Sequence, residues 1–255
     1  MTTLPAGFLK APIAHRAYHD ITAGRVENST SAIQAAIDAG YGIEIDLQLS
    51  KDGQAMVFHD YDLGRLTREK GPIRGRTAAE LAQITLTGGT DTIRTFAEVL
   101  DLVSGRVPLL VELKDQDGAM GANVGILERA TADAMRGYAG DLAVMSFNPN
   151  SVLQMQIHAP EVPRGLTTSA YTKEDWLLLP TRTRDKLREI PDYDTVGASF
   201  ISHEAADLPR ARVLELKRRG AHVLCWTIRT ARAEAEARKI AENVTFEGYA
   251  ATIPA

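Results

Sequence analysis

The chain has 255 residues, of which 44 % are hydrophobic and 24 % charged, and this composition excludes a disordered or low-complexity protein. Its net charge of −4 and pI near 5.9 argue against nucleic acid or an anionic membrane as the main partner. The single cysteine, Cys225, excludes an internal disulfide, and the N-terminus has no signal-peptide pattern, so we expect a cytoplasmic protein. No apolar run approaches the roughly 20 residues that span a bilayer, and we expect no stable membrane association.

The N-terminal part of the chain predicts a β-α-β unit. A short buried strand over 11–16 ends in two polar residues, and Asn28 or Ser29 then caps a helix over 31–39. The next strand spans 43–49. Parallel strands need such a crossover connection, so this unit predicts a parallel sheet.

A β-hairpin follows directly. The second strand and an arm over 54–59 both alternate with period two around Asp52-Gly53, a strong signal for a two-residue turn. That turn pairs Asp46 with His59, and directly opposite residues share one face of a sheet. Glu44, Asp46 and His59 should therefore converge, while the apolar residues between them pack outward against helices.

Two carboxylates at positions i and i+2 on one face repel each other when buried. A hard divalent cation or a basic side chain between the two carboxylates offsets the free-energy cost of burying their charges together. The alternative is a strand whose polar face is simply in contact with water.

Helices and strands keep alternating to the end of the chain. The further predicted helices cover residues 96–103, 125–136, 151–158, 173–179, 208–219 and 231–241. The further predicted strands cover residues 109–114, 142–147, 164–167, 195–200, 222–226 and 243–247. Eight parallel strands over about 250 residues predict an α/β fold, a closed (β/α)8 TIM barrel. We expect one domain over 1–255, with the hairpin arm and a small insertion over 60–95 after the second strand.

Active sites of such barrels lie at the carboxyl ends of the strands. The predicted strand ends carry His15, Arg16, Glu44, Asp46, Glu112, Lys114 and Trp226. Barrel interiors are normally filled by aliphatic residues, so ionisable side chains there indicate a ligand.

Several motifs of this sequence together resemble the glycerophosphodiester phosphodiesterase family. The matching stretches, dense over the first 115 residues, are His15-Arg16, Glu27-Asn28, Glu44-Ile45-Asp46-Leu47, Lys51-Asp52-Gly53, His59-Asp60 and Val111-Glu112-Leu113-Lys114. The resemblance implies a metal-dependent barrel hydrolase that cleaves deacylated phospholipids to glycerol 3-phosphate and an alcohol.

The roles that the resemblance implies can be carried over by position. His15 and His59 correspond to the acid–base pair, and Arg16 and Lys114 to the groups that hold the phosphate. The metal ligands correspond to Glu44, Asp46 and Glu112. Oxygen-only ligands favour a hard cation such as Mg²⁺ or Ca²⁺.

Three departures from the family pattern border the expected pocket mouth. Ala17 stands where a Gly is usual, and Val26 where a Pro is usual. The usual ending, an Ile-Thr-Asp strand followed by Pro, is replaced by 246–249. These changes bear on the alcohol of the substrate, and they leave the reacting centre intact.

The chemistry suits a phosphodiester independently of the family name. A cation together with Arg16 and Lys114 would stabilise charge on the phosphoryl oxygens, and two imidazoles could serve as base and acid. The sequence leaves open which histidine is acid and which is base; His59 is favoured as the acid if the metal does not fully neutralise Asp46, because that carboxylate opposite it favours the imidazolium. Trp226 would form a wall for the glycerol or belong to the core.

Other interpretations remain open at this stage. Arg16 and Lys114 could pair with the carboxylates and leave no metal site. The enzyme could act on another ester, as a sphingomyelinase D-like or sugar-phosphodiester hydrolase does, or the barrel could bind without catalysis. The partner in every case is a small molecule, and the sequence allows a homo-oligomer.

The remaining histidines and the cysteine receive structural interpretations. His19 could support the site, whereas His158, His203 and His222 are expected in loops or at the surface. Cys225 alternates with Trp226 and should face the helices as an inert apolar residue.

Overall fold

The computed structural model describes residues 2–254. The strands in this part of the chain are β1 (Ile13–Ala14), β2 (Gly42–Leu49), β3 (Ala55–Val57), β4 (Leu109–Leu113), β5 (Leu142–Ser146), β6 (Arg164–Thr168), β7 (Phe200–Glu204), β8 (His222–Ile228) and β9 (Asn243–Phe246). The α-helices are α1 (Thr30–Ala39), α2 (Ala78–Leu81), α3 (Phe96–Val103), α4 (Ile126–Met135), α5 (Pro149–His158), α6 (Thr181–Arg188), α7 (Ala211–Arg218) and α8 (Ala231–Ala237).

Eight parallel strands close into a barrel, as the sequence predicted. The order around the barrel is β1, β2, β4, β5, β6, β7, β8, β9 and back to β1, with β3 added antiparallel to β2. Helices between successive strands cover the outside, and the outward-facing strand residues Ile43, Ile45 and Leu47 are fully buried against them. The fold is therefore a TIM barrel with one extra strand.

One edge of β2 is shared by two strands, which positions both candidate catalytic histidines. β1 is only two residues long and pairs with the start of β2 at Ile43, while β3 pairs with its end at Leu47. Because β3 runs back toward the end of β1, the residues that follow each strand, His15 and His59, emerge on the same side of β2.

The register of this hairpin differs from the prediction by one residue. The amide of Ser50 donates to the Gln54 carbonyl, so the loop has three residues and ends in Gly53 at φ +78°. A third loop residue in the left-handed region is the geometry of a bulged hairpin, which the two-residue turn did not anticipate. Asp46 consequently lies opposite Phe58, whose amide donates to the Asp46 carbonyl, and not opposite His59.

The barrel interior changes character along the strands. Its amino-terminal end is filled by the buried apolar residues Leu4, Phe8, Ile13, Leu110, Ala143, Met145, Phe200 and Leu224. Gly165 makes room for Phe200, since a Cβ at this glycine would lie 2.4 Å from the Phe200 ring. Period-two alternation then places the next inward residues of the same strands, among them Glu112 and Phe147, in the upper layer.

The insertion between β3 and α3 has a hydrophobic cluster of its own. Leu63, Leu66 and Ile73 pack there onto Met56 and Phe58 from the arm. The insertion therefore covers the hairpin arm and supports the segment that carries His59.

Two predicted elements are wrong. Residues 173–179 form turns, and α6 begins after Pro180, because a proline suits the entry of a helix and interrupts its interior. Residues 195–199 form a loop in which Gly197 has φ +61°, and β7 starts at Phe200. The inward positions of β7 carry polar side chains such as Ser202, and for this reason the sequence pattern did not predict a strand there.

Candidate active site

The upper layer of the barrel forms a cavity of about 190 Å³ at the carboxyl ends of the strands. All eight sequence-predicted site residues line it: His15, Arg16, Glu44, Asp46, His59, Glu112, Lys114 and Trp226. Glu44 and Asp46 both face inward because they are two residues apart on β2, and Glu112 and Lys114 extend the same alternation on and just beyond β4.

Three carboxylates converge at the floor of this cavity. One oxygen from each of Glu44, Asp46 and Glu112 lies within 4.8 Å of the others, and all three side chains are buried. Register explains the approach, because Asp46 and Glu112 are direct partners across β2 and β4. An oxygen-only donor set of this size fits a hard divalent cation.

Basic groups balance these carboxylates in the structure. The Lys114 ammonium donates to Glu112 Oε1 at 2.6 Å and lies 2.8 Å from Asp46 Oδ1. Arg16 Nε lies 3.6 Å from Asp46 Oδ2, and the Arg16 fork donates to Glu27 at 2.8 Å. Both predicted phosphate-binding residues are thus at the site, and in this arrangement their charges are directed at carboxylates.

The chain after β1 makes a left-handed turn that completes the carboxylate contacts. Arg16 and Ala17 have φ values of 51° and 66°, a region that favours glycine and so accounts for the Gly usual at the second position. In this turn the Arg16 amide donates to the Glu44 carboxylate at 2.8 Å, and the Ala17 amide donates to the Glu44 carbonyl. Asn28 donates its side-chain amide to Asp46 at 2.9 Å.

Burial and neighbouring charges shift the pKa values of the clustered acids in different directions. Burial and the repulsion from Asp46 and Glu112 raise the pKa of Glu44 well above its ordinary value. Burial opposes ionisation of Asp46 as well, but Lys114 and His59 outweigh it and lower the pKa of Asp46. The pKa of Lys114 is raised, because its two carboxylate partners outweigh its burial. Three acids against Lys114 and an Arg16 guanidinium that is shared with Glu27 leave negative charge that a divalent cation would balance.

His15 is held by a carboxylate from the far end of the chain. Its Nδ1 lies 2.5 Å from Glu247 Oε2, just after β9, and Arg229 bonds the other Glu247 oxygen at 2.7 Å. A carboxylate accepts the Nδ1 proton, which leaves Nε2 of the neutral ring as an acceptor. Burial lowers the pKa of His15, and the hydrogen bond that His15 donates to Glu247 opposes that shift only in part.

His59 has an equivalent partner beside it in sequence. Its Nδ1 lies 2.6 Å from Asp60 Oδ1, and Arg65 clamps Asp60 and Glu27 together. Burial, together with the Lys114 charge, lowers the pKa of His59 to about 4. Both imidazoles are therefore neutral at pH 7 and oriented through Nδ1 by a carboxylate. The expectation that Asp46 lies opposite His59 and makes its imidazolium the favoured form is wrong, because Asp46 lies opposite Phe58 and burial outweighs the carboxylate charge.

Two aromatic side chains form part of the cavity wall. Trp226 donates its indole N–H to the Ser202 carbonyl at 3.0 Å and meets Phe147 edge to face, with ring centroids 5.5 Å apart. Trp226 is half-buried and lines the cavity, so it is a wall residue and not part of the core.

Sequence reasoning missed the groups that orient the histidines. In the sequence Glu247 is part of the departure from the family pattern in the last strand, and its place at a strand end is the signal that points to the mouth of the barrel. Asp60 belongs to the His59-Asp60 motif, and its sequence position alone indicated no role for it. His19 approaches Glu247, with 3.7 Å between its Nε2 and Oε2, as a supporting residue should.

His203 corrects another expectation. It is fully buried, with Nδ1 2.7 Å from the Thr168 hydroxyl and Nε2 3.2 Å from Asp207, whereas a loop or surface position was predicted. The later start of β7 places it inside the strand. Cys225 is buried against the helices as predicted, and burial raises the pKa of its thiol to about 12.

Fold and site together define a class. The mouth of this TIM barrel holds two carboxylate-bound imidazoles, a carboxylate cluster and fixed basic side chains. These are the groups that a barrel hydrolase uses to act on an anionic ester.

The comparison with protein-family models identifies the family. Residues 15–247 match the model described as the glycerophosphoryl diester phosphodiesterase family. The chain belongs to this family, and it is a phosphoric diester hydrolase, as the sequence predicted.

Individual relatives agree with this result. A glycerophosphodiester phosphodiesterase of Caldanaerobacter subterraneus is 30% identical over 161 residues, which are 59% of this chain and 64% of the relative. A solved phosphodiesterase of Oleispira antarctica, in complex with the product sn-glycerol-3-phosphate, superposes with a TM-score of 0.74 at 24% identity and covers 94% of this chain and 93% of that chain. The glycerophosphodiester phosphodiesterase of Thermotoga maritima has a TM-score of 0.68 at 21% identity, with 92% and 94% covered. At these identities the solved structures establish the barrel fold.

Within residues 2–254, no helix combines the length and the apolar character that crossing a membrane requires.

Proposed function

We propose that this chain hydrolyses glycerophosphodiesters to sn-glycerol 3-phosphate and an alcohol, with a divalent cation and with His15 and His59 as base and acid. The observation that carries the proposal is the convergence of two carboxylate-oriented imidazoles and three buried carboxylates on one cavity. Family membership and the product bound to the Oleispira relative support the choice of substrate.

The carboxylates would hold the cation. Glu44, Asp46 and Glu112 offer the oxygen donors, and burial together with the negative charge of Asp46 and Glu112 raises the pKa of Glu44. A bound divalent cation would supply electrostatic stabilisation of the charge that develops on the phosphoryl oxygens. With the carboxylates occupied in this way, Arg16 and Lys114 would bind the phosphate.

His15 suits the role of base. Its lowered pKa keeps it neutral at pH 7, and Glu247 holds the tautomer whose Nε2 accepts a proton. It would take the proton of the attacking oxygen nucleophile, and Glu247 would stabilise the resulting imidazolium.

His59 suits the role of acid because of its place between two cavities. It lines the reaction cavity and also a larger adjoining cleft of about 540 Å³ that His15 does not line. An alcohol leaving into that cleft would receive its proton from His59. The negative charge of the bound diester would raise the pKa of His59 from its value of about 4 and so help it acquire that proton.

The test compares two substrates in two histidine variants. We expect His15→Ala and His59→Ala each to lose about 10²–10⁴-fold in turnover on an alkyl glycerophosphodiester, measured as released glycerol 3-phosphate. A 4-nitrophenyl ester, whose leaving group needs no proton, should rescue His59→Ala alone. His158→Ala, at the end of α5, is the matched control. Rescue of His15→Ala would reverse the two roles, and near-native turnover of either variant on the alkyl ester would refute acid–base catalysis.

Metal dependence has a test that does not rely on turnover alone. Exhaustive chelation should abolish activity, and Mg²⁺ or Ca²⁺ should restore it and raise the melting temperature. Glu44→Gln should remove the metal-induced rise without lowering the melting temperature of the metal-free protein, since it relieves repulsion from Asp46 and Glu112. A metal-free variant that melts well below the metal-free native protein would show that Glu44 is structural.

The sequence-based expectations on cellular context stay predictions. They are a cytoplasmic location, a small-molecule partner without nucleic acid or stable membrane association, and a chain that is free to form a homo-oligomer.

A further inference from the structure

The cleft beside the reaction cavity has the character of a distinct subsite. It encloses about 540 Å³ and shares His59, Glu112, Lys114 and Phe147 with the reaction cavity, so the two spaces are continuous past the proposed acid. A group bound there would be attached directly to the oxygen that His59 protonates.

Aromatic rings form the walls of the cleft. Trp176 packs on Phe147 with ring centroids 5.0 Å apart, and Tyr171 backs it at 5.1 Å. The Trp176 indole N–H donates to the Ser169 hydroxyl at 3.2 Å. Tyr61 donates its hydroxyl to a backbone carbonyl at 2.8 Å. The polar groups of Trp176 and Tyr61 are thus hydrogen-bonded to the protein, and the apolar surfaces of these two rings are left for a ligand.

The carboxylates of the cleft are largely bonded to protein donors. Asp115 accepts three backbone amides and the Asn148 side chain, with distances of 2.8–3.0 Å. Asp60 is bonded to His59 and Arg65. Asp62, exposed at the outer edge, accepts the Gly64 amide with one oxygen. Four carboxylates, those of Asp60, Asp62, Glu112 and Asp115, line the cleft against the single ammonium of Lys114, so the net charge of the lining is negative. Apart from Glu112, which is bonded to Lys114 and would hold the cation, only the second oxygen of Asp62 remains as a carboxylate acceptor without a partner among the described residues, so the cleft offers few acceptors for the donors of a ligand.

We propose that this cleft binds the leaving alcohol and selects one that carries a quaternary ammonium group, as choline does; the inference rests on the proposed function. A trimethylammonium group has a positive charge and no hydrogen-bond donor. It therefore gains from aromatic faces and surrounding carboxylates without needing the acceptors that Asp60 and Asp115 no longer offer. A primary ammonium or a polyol would lose hydrogen bonds to water that this cleft does not replace.

The first experiment compares kcat/KM of the native enzyme on three diesters. These are glycerophosphocholine, glycerophosphoethanolamine and the neutral 3,3-dimethylbutyl ester, which copies the shape of choline without its charge. We expect choline to be preferred about tenfold over each of the others, within the range of a partly desolvated cation–π contact. A neutral ester that equals choline would show that the walls select only apolar surface. An ethanolamine ester that equals choline would show that the cleft offers free acceptors. Either result overturns the proposal.

Variants locate the effect in the cleft. Trp176→Leu should bring the ratio of choline ester to neutral ester close to one, and Trp176→Phe should retain part of it. Leu178→Ala, two residues away and 92% exposed, is the matched control and should keep the native ratio. An unchanged ratio in a folded Trp176→Leu variant would refute the assignment.

A binding measurement separates the subsite from the reaction. Choline alone should quench the fluorescence of the native protein at millimolar concentration, and ethanolamine should not, with the choline effect lost in Trp176→Leu. If no glycerophosphodiester is cleaved, including the methyl ester, the proposed function fails while this measurement still decides the subsite. Absence of choline quenching together with cleavage of the methyl ester would refute the subsite alone.

Discussion

Replacing Glu247 by glutamine tests how the far end of the chain controls His15. The substitution keeps the shape of the side chain but puts an amide 2.5 Å from His15 Nδ1, where a carboxylate accepted a proton. The amide can donate to Nδ1 instead and thereby favour the tautomer whose Nε2 already carries a proton and cannot act as base. The carboxylate that would stabilise the imidazolium is lost at the same time.

The expected loss in kcat follows from the role of the pair. We expect kcat to fall by about 10²–10⁴-fold, which corresponds to about 3–5 kcal/mol of transition-state stabilisation. KM should change little, because Glu247 would act through His15. The hydrogen bond and charge of Glu247 raise the pKa of His15 against the effect of burial, so their removal lowers that pKa further. The acidic limb of the profile of kcat/KM against pH should therefore move to lower pH.

The assay is steady-state release of glycerol 3-phosphate between pH 5 and 9. Glu247→Asp should keep part of the activity, because a carboxylate remains, and Glu236→Gln is the matched control since Glu236 pairs only with Lys239 on the surface among the contacts of the described residues. An acidic limb that stays in place, or a kcat within threefold of native, would refute the orienting role of Glu247.

Two further predictions concern stability. Burial lowers the pKa of His203, as it does for His15 and for His59, so the unfolded chain binds more protons than the folded one below the ordinary pKa of 6.5. The free energy of unfolding should accordingly fall as the pH drops from 6.5 toward 4, and His203→Gln should flatten part of this slope in urea titrations; a native slope in the variant would contradict the assignment. Gly165→Ala should destabilise the protein by about 1–3 kcal/mol, because the new Cβ would lie 2.4 Å from the Phe200 ring, and Phe200→Leu should restore part of the loss; a thermal melt in which the two effects simply add would contradict the packing argument.

Local patterns in the sequence were enough to predict the barrel and the grouping of residues at the centre of its candidate site. The alternation of strands and helices predicted eight parallel strands, and the spacing of two residues between Glu44 and Asp46 predicted a shared inward face, both as the structure has them. The same spacing brings Glu112 and Lys114 into the cavity. Such predictions succeed because the direction of a side chain along a strand depends on residues a few positions apart.

Long-range contacts were decided only by the tertiary structure. Glu247 lies 232 residues from His15 and reaches it because β9 closes the barrel onto β1. Trp176 enters the cleft from a loop whose turns follow the packing of its neighbours and not a periodic pattern. The hairpin register was set by a single extra loop residue, Lys51, in a loop that ends at Gly53 with positive φ, and this shifted the partner of Asp46 by one position. Each of these features depends either on the free energy of contacts between segments distant in sequence or on the conformation of one turn. Neither kind of feature produces a periodic pattern of residue types in the sequence.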